Sequence, residues 1–210
     1  KPQVEIQADI DLWLQDFNQI MSTYVSDSEL MRLNRAPLDI PFSLSAPLFE
    51  VLSISDQIYT ASAGSFDITI GPLVNLWGFG PTASIVEQPI QSAIDTERAN
   101  IGQHKLKLNN QMATKQSELF IDLSAIAKGY GADVIASNLE NLGIQNYLIE
   151  IGGEIRVKGQ SKRRKGWRLG IERPSLLHTN NQQTIEINNG GVATSGNYRN
   201  YFEQKGVRYS

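Results

Sequence analysis

The fold turns on residues 119–143, "LFIDLSAIAKGYGADVIASNLENLG". The first five residues, Leu119 to Leu123, read as a short strand. Ser124 to Leu142 carries the strongest helical pattern in the chain, and Gly143 sits just past its end, where a left-handed residue closes a helix. A strand therefore runs directly into a helix. Upstream the pattern is mostly helical. Apolar positions recur at helical spacing from Glu5 to Met21, a second helix fits "DSELMRLNR" with Ser26 or Asp27 as its N-cap, and a third fits Ser45 to Gly64. In the third, Ser45 caps, Pro47 lies in the first turn and Gly64 follows the end. "QSAIDTERA" (91–99) gives a short fourth helix.

Downstream the pattern changes to strands. "NYLIEI", "EIRVKG", "GWRLGIER", "TIEI", "GVATS", "YRNYFE" and "VRYS" follow one another with turn residues between them. "HKLKLNNQMATK" (104–115) alternates around an Asn-Asn turn. No linker, low-complexity run or repeat interrupts the chain. Helices packed on a largely antiparallel sheet, an α+β fold, is the class this order predicts.

Composition narrows the chemistry. The 210 residues can bury roughly 70% of their unfolded surface, enough for one large domain or two interleaved halves. Nineteen basic and 22 acidic residues give a net charge of -3, which argues against a nucleic-acid surface. The absence of cysteine removes disulfides, zinc-thiolate sites and cysteine nucleophiles together. No apolar run is long enough to span a bilayer. The chain opens at Lys1 without Met, which points to a processed or trimmed front end. The two histidines, His104 in a strand-like stretch and His178 in a polar run, have no ligand or triad partner nearby in sequence and read as surface residues. Any metal would then be a hard cation on oxygen ligands.

"GSFDITIGPLVNLWGFGP" (64–81) mixes four glycines and two prolines with eight large apolar residues. Phe66 to Ile70 alternates like a strand, whereas Leu73 to Phe79 has no clean period. The stretch suits either a loop tucked under the core or one wall of a pocket, where glycine backbone allows close approach.

Three polar motifs remain. In "DLSAIAKGYGAD" (122–133), Asp122 and Lys128 flank the strand-to-helix junction, whose free N–H groups suit phosphate or carboxylate. A capped helix with a surface lysine is the simpler reading, and the small residues Ala125, Ala127, Gly129, Gly131 and Ala132 weaken it. In "EIGGEIR", Gly152-Gly153 fits a tight hairpin or bulge flanked by Glu150 and Glu154. In "ATSGNYRNYF", Ser195 and Gly196 interrupt a strand pattern. That is not a Gly-x-Ser-x-Gly elbow, and no suitable histidine supports a serine hydrolase. Lys105 and Lys107 read as charges on an exposed strand.

Four stretches in order, "MSTYVSDSELMRLN", "GSFDITIGPLVNLWGFGP", "IDLSAIAKGYGADVIASNLENLGIQNYLIEIGGEIRVKG" and "ATSGNYRNYFEQKGVRYS", resemble the FAD:protein FMN transferases of the ApbE family. The likeness runs from Asp9 to Ser210. It implies one α+β flavin transferase domain over 1–210, built of two related halves with the flavin between them. It implies FAD contacts from Tyr24, Ser65, Phe66, Asp67 and Asp122, with Lys128 near the phosphates. The Ala125 carbonyl would face Mg²⁺, and Gly152, Gly153, Ser195 and Gly196 would line the site.

The implied reaction is Mg²⁺-dependent transfer of FMN from FAD to a Thr or Ser hydroxyl of an acceptor protein, releasing AMP. An FAD pyrophosphatase and a non-catalytic FAD-binding protein are the alternatives. Acceptors would be flavoprotein subunits of a bacterial redox complex of the NADH:quinone reductase type. The expected location is the periplasmic side of the inner membrane, through a lipoprotein anchor on a removed front segment. The family's usual Met-Gly-Thr strand and its C-terminal segment with further metal ligands are not in these residues. The expectation is therefore a domain incomplete at its C-terminus, with the catalytic base beyond Ser210.

Overall fold

The computed structural model describes residues 3–80, 87–162, 165–172, 181–196 and 200–210. It falls into two compact units, Lys1–Ala127 and Lys128–Ser210.

The first unit carries α1 (Gln3–Met21), α2 (Glu29–Asn34), α3 (Ala46–Ala61), α4 (Gly71–Leu76) and α5 (Gln91–Asn100). Its sheet has the order β1 (Phe42–Ser43), β3 (Met112–Lys115), β2 (Leu106–Asn109), and both pairings are antiparallel. Leu30, Leu33, Leu48, Val51 and Leu52, all 0% exposed, form the heart of its core. The cap of α2 is Ser28, not Ser26 or Asp27. Its hydroxyl accepts from Met31 N–H at 3.1 Å and donates to the Ser22 carbonyl at 2.6 Å, so the residue that satisfies both sides wins. Ser45 caps α3 and Pro47 stands in its first turn, as the sequence predicts. The β2–β3 turn centres on Asn110 and Gln111, φ +48° and +58°, one residue later than an Asn-Asn turn.

The alternating stretches at 66–70 and 119–123 are not strands. Each is extended or turning chain outside any ladder, although Ile68, Leu119, Ile121 and Leu123 are buried. Buried backbone must still find partners, and here side chains share that task with other backbone groups. The short helix α4 starts at Gly71 and takes in only Leu73 to Leu76 of the stretch without clean period. His104 belongs to a 3₁₀ turn at Gln103–Lys105, exposed, its Nδ1 3.2 Å from the Tyr59 hydroxyl. His178 lies outside the described residues.

In the second unit α6 (Ala127–Asn141) covers a sheet of order β4 (Tyr147–Ile151), β5 (Glu154–Lys158), β8 (Asn189–Val192). The helix begins three residues later than Ser124, because Ser124 to Ile126 form a turn. Its end is as predicted. Gly143 takes φ +81°, its N–H bonds the Glu140 carbonyl and Ile144 N–H bonds the Leu139 carbonyl. β6 (Trp167–Glu172) pairs with β7 (Asn181–Ile187), and β9 (Phe202–Gln204) with β10 (Val207–Tyr209). Every strand pairing among the described residues is antiparallel, so the α+β class stands.

Candidate functional site

Two segments of the first unit meet through one backbone bond, from Asp122 N–H to the Ile68 carbonyl at 2.7 Å. That bond places the turn at 65–69 beside the chain leading into α6. The two aspartates it brings together do different things. Asp67 Oδ1 accepts from Thr69 N–H at 2.8 Å and from the Thr69 hydroxyl at 2.6 Å, while Oδ2 accepts from Gln103 N–H at 3.2 Å. Thr69 Oγ1 in turn accepts from Gly102 N–H at 2.8 Å. Both Asp67 oxygens are engaged in folding the loop. Any ligand contact at this position falls to leftover lone pairs or to the backbone.

Asp122 is 8% exposed. Its Oδ1 accepts from Ser124 N–H at 2.7 Å in an Asx turn, and its Oδ2 makes no hydrogen bond among the described residues. A largely buried carboxylate with one oxygen uncommitted is suited to a ligand donor. The Asx turn is also why α6 starts late: Asp122, not Ser124, organises the junction. Ala125 follows, exposed, ahead of the helix, so its carbonyl lies outside the α6 ladder. Ser65 is exposed, Phe66 half-buried, and Leu73, Val74, Leu76, Trp77 and Phe79 are all half-buried, an apolar face neither sunk in the core nor free of it. Tyr24 is 76% exposed, and its side chain makes no hydrogen bond among the described residues.

In the second unit Lys128, in the first turn of α6, reaches the Gly-Gly hairpin. Its Nζ donates to the Gly152 carbonyl at 3.0 Å and to Glu154 Oε1 at 3.3 Å. Gly152 and Gly153 take φ +55° and +92°, the left-handed turn that a two-residue hairpin demands. A Cβ on Gly152 would stand 3.0 Å from Lys128 Cδ, so glycine serves both the turn and the lysine. Of the two glutamates flanking the hairpin, Glu154 is the one that pairs.

The other end of α6 is fastened to the same hairpin. Glu140 accepts from the Tyr147 hydroxyl at 2.5 Å and from Lys158 Nζ at 2.8 Å. The Lys158 hydrogen bond, then the Tyr147 one, holds the Glu140 carboxyl below its ordinary value. Burial, with that hydrogen bond second, pushes Tyr147 up to about 12. Lys128 is thus set by a helix held at both ends. Ser195 and Gly196 lie in exposed chain without regular structure.

Residues that the sequence did not single out complete the picture. Asn34 ends α2, and its side chain bonds both backbone groups of Ile121, at 3.0 and 2.7 Å. Gln103 is 1% exposed and offers Oε1 to Ile68 N–H at 3.5 Å. Lys115, 2% exposed, donates to the Asn34 carbonyl at 2.6 Å. Lys105 is no free strand charge, since its Nζ donates to the carbonyls of Ala99 and Ile101 at 2.7 and 3.0 Å. Among the described residues no group of three or more His, Asp or Glu side chains could hold a metal, and no helix is long and apolar enough to cross a membrane.

The ApbE family model matches residues 1–210. A FAD:protein FMN transferase of Vibrio cholerae is 45% identical over 206 residues, covering 98% of this chain and 62% of its own length. One of Escherichia coli is 37% identical over 215 residues, covering 100% and 61%. Among solved structures, the flavin transferase ApbE from Vibrio cholerae superposes with a TM-score of 0.87 at 40% identity. The apo flavinyl transferase ApbE of Pseudomonas stutzeri gives 0.89 at 35%. Both cover all of this chain, which covers 67% and 65% of theirs. The chain therefore spans about three fifths of the length of the curated relatives it matches. Matched along residues 1–210 and sharing the fold of solved ApbE structures, the chain belongs to the ApbE family.

Proposed function

We propose that the protein transfers FMN from FAD to a Thr or Ser hydroxyl of an acceptor protein. Its relatives' names support the flavin transfer. The observation that carries the reading to these residues is the uncommitted Oδ2 of the nearly buried Asp122, beside the Phe66–Asp67 turn. In the proposed step the acceptor hydroxyl oxygen forms a bond to the FMN-side phosphorus. The bond from that phosphorus to the bridging oxygen breaks, AMP leaves with the electron pair, and the hydroxyl proton passes to a base or to water. No oxidation accompanies it, so the protein has only to position the groups and balance charge.

Asp122 would accept a hydrogen bond from FAD, and the half-buried Phe66 would give an apolar face to its rings. Lys128, already oriented by Gly152 and Glu154, would give an ammonium to the pyrophosphate. Mg²⁺, when bound, would neutralise phosphate charge. Ala125 would offer it one carbonyl, and among the described residues no cluster of three or more His, Asp or Glu side chains stands ready to complete its octahedral shell. The acceptor class we propose is a flavoprotein subunit of a bacterial redox complex of the NADH:quinone reductase type, met at the periplasmic face of the inner membrane.

Incubating the full-length protein with FAD, Mg²⁺ and such a subunit separates the outcomes. The proposal expects covalent flavin on the acceptor with matching AMP. Free FMN plus AMP would instead make it a pyrophosphatase, and bound but unchanged FAD a binding protein.

A further inference from the structure

Ile121 is 0% exposed, one residue before Asp122, in a stretch that belongs to no sheet. Its N–H and carbonyl cannot reach water, and no strand serves them. Asn34 does, from 87 residues away: its Oδ1 accepts from Ile121 N–H at 2.7 Å and its Nδ2 donates to the Ile121 carbonyl at 3.0 Å. One side-chain amide thus replaces a neighbouring strand. On the next residue, Asp122 N–H bonds the Ile68 carbonyl. The backbone at 121–122 is held from two directions, and with it the line along which the Asp122 carboxylate leaves the chain. Asn34 is itself held, through Lys115 Nζ on its carbonyl at 2.6 Å.

We infer that Asn34 is a positioning residue for Asp122. It sets the aspartate by serving as donor and acceptor to the preceding peptide, with no contact to the ligand. This rests on the reading that Asp122 contacts FAD. The chemistry needs an amide at this length. A carboxylate has no donor for the Ile121 carbonyl and would oppose it, an aliphatic side chain leaves both buried groups unpaired, and one more methylene displaces the pair.

The test is a double-mutant cycle on the full-length protein, read by FAD titration, together with hydrogen exchange at the Ile121 and Asp122 amides. Asn34→Ala should lower FAD affinity by about tenfold beside Asp122, and by less than about twofold in the Asp122→Ala background. Exchange at Ile121 and Asp122 should quicken while Val51 and Leu52 in α3 keep their protection. Should Asn34→Ala not fold, Asn34→Gln supplies the same comparison. An equal loss of affinity in both backgrounds, or unchanged exchange at Ile121, overturns the inference. Affinity unchanged by Asp122→Ala but lowered by Asn34→Ala also overturns it. If neither single variant changes affinity, the Asp122 site reading has failed, and the exchange data still decide whether Asn34 holds the segment.

Discussion

Replacing Asp67 with Ala should cost stability far more than a surface carboxylate does. The side chain accepts from Thr69 N–H, the Thr69 hydroxyl and Gln103 N–H. Thr69 and Gln103 are each 1% exposed, so water cannot replace the lost acceptor. Two buried N–H groups left unpaired at about 1–3 kcal/mol each give a loss of about 4 kcal/mol. For a chain of this size that lowers the melting temperature by about 10 °C. Asp67→Asn keeps an oxygen for Thr69 but turns a donor toward Gln103 N–H, and should lose about half as much. Thermal unfolding by circular dichroism of the wild type and both variants, without FAD, reads the ranking. If Asp67→Ala melts within about 2 °C of the wild type yet no longer binds FAD, the aspartate is a ligand group and not the builder of the loop.

Lys128→Glu should weaken FAD binding by tenfold or more in a fluorescence titration, while Lys107→Glu, on an exposed position of β2, should shift it by less than about twofold. Equal effects would reduce Lys128 to a solvated helix charge. Gly152→Ala should lose about 1–2 kcal/mol to its left-handed φ of +55° and also crowd Lys128, so melting temperature and FAD affinity should fall together. Burial lowers the Lys115 pKa below its ordinary 10.5, with Glu118 opposing, so just below 10.5 the unfolded chain holds more protons than the folded one. Stability should therefore rise with pH toward 10.5, and Lys115→Met should flatten that slope in denaturant melts across the same range.

What the sequence made legible was what neighbours in the chain decide. Ser45 with Pro47, Gly143 after α6 and the Gly152-Gly153 hairpin all act within a few residues, and each sits as read. Phe66 to Ile70 and Leu119 to Leu123 have a strand-like pattern in sequence, but no strand beside them. Their partners include the side chains of Asn34, Asp67 and Gln103, and no local pattern marks a bond between residues 34 and 121. α4 escaped because all five of its residues after Gly71 are half-buried, which leaves no apolar stripe to count. In the candidate site Asp67 and Asp122 look alike in sequence. Only their hydrogen bonds separate the carboxylate that builds the loop from the one with an oxygen to spare.

The most direct test of that division is FAD titration of Asp122→Ala in the full-length protein, followed by flavin fluorescence with a melting curve on the same samples. One charge-assisted hydrogen bond to the ligand is worth about 1.5–3 kcal/mol, so affinity should fall by about 10- to 150-fold. The melting temperature should drop by only a few degrees, because the side chain makes one internal bond, to Ser124 N–H. Unchanged FAD affinity in a folded Asp122→Ala protein would contradict the account.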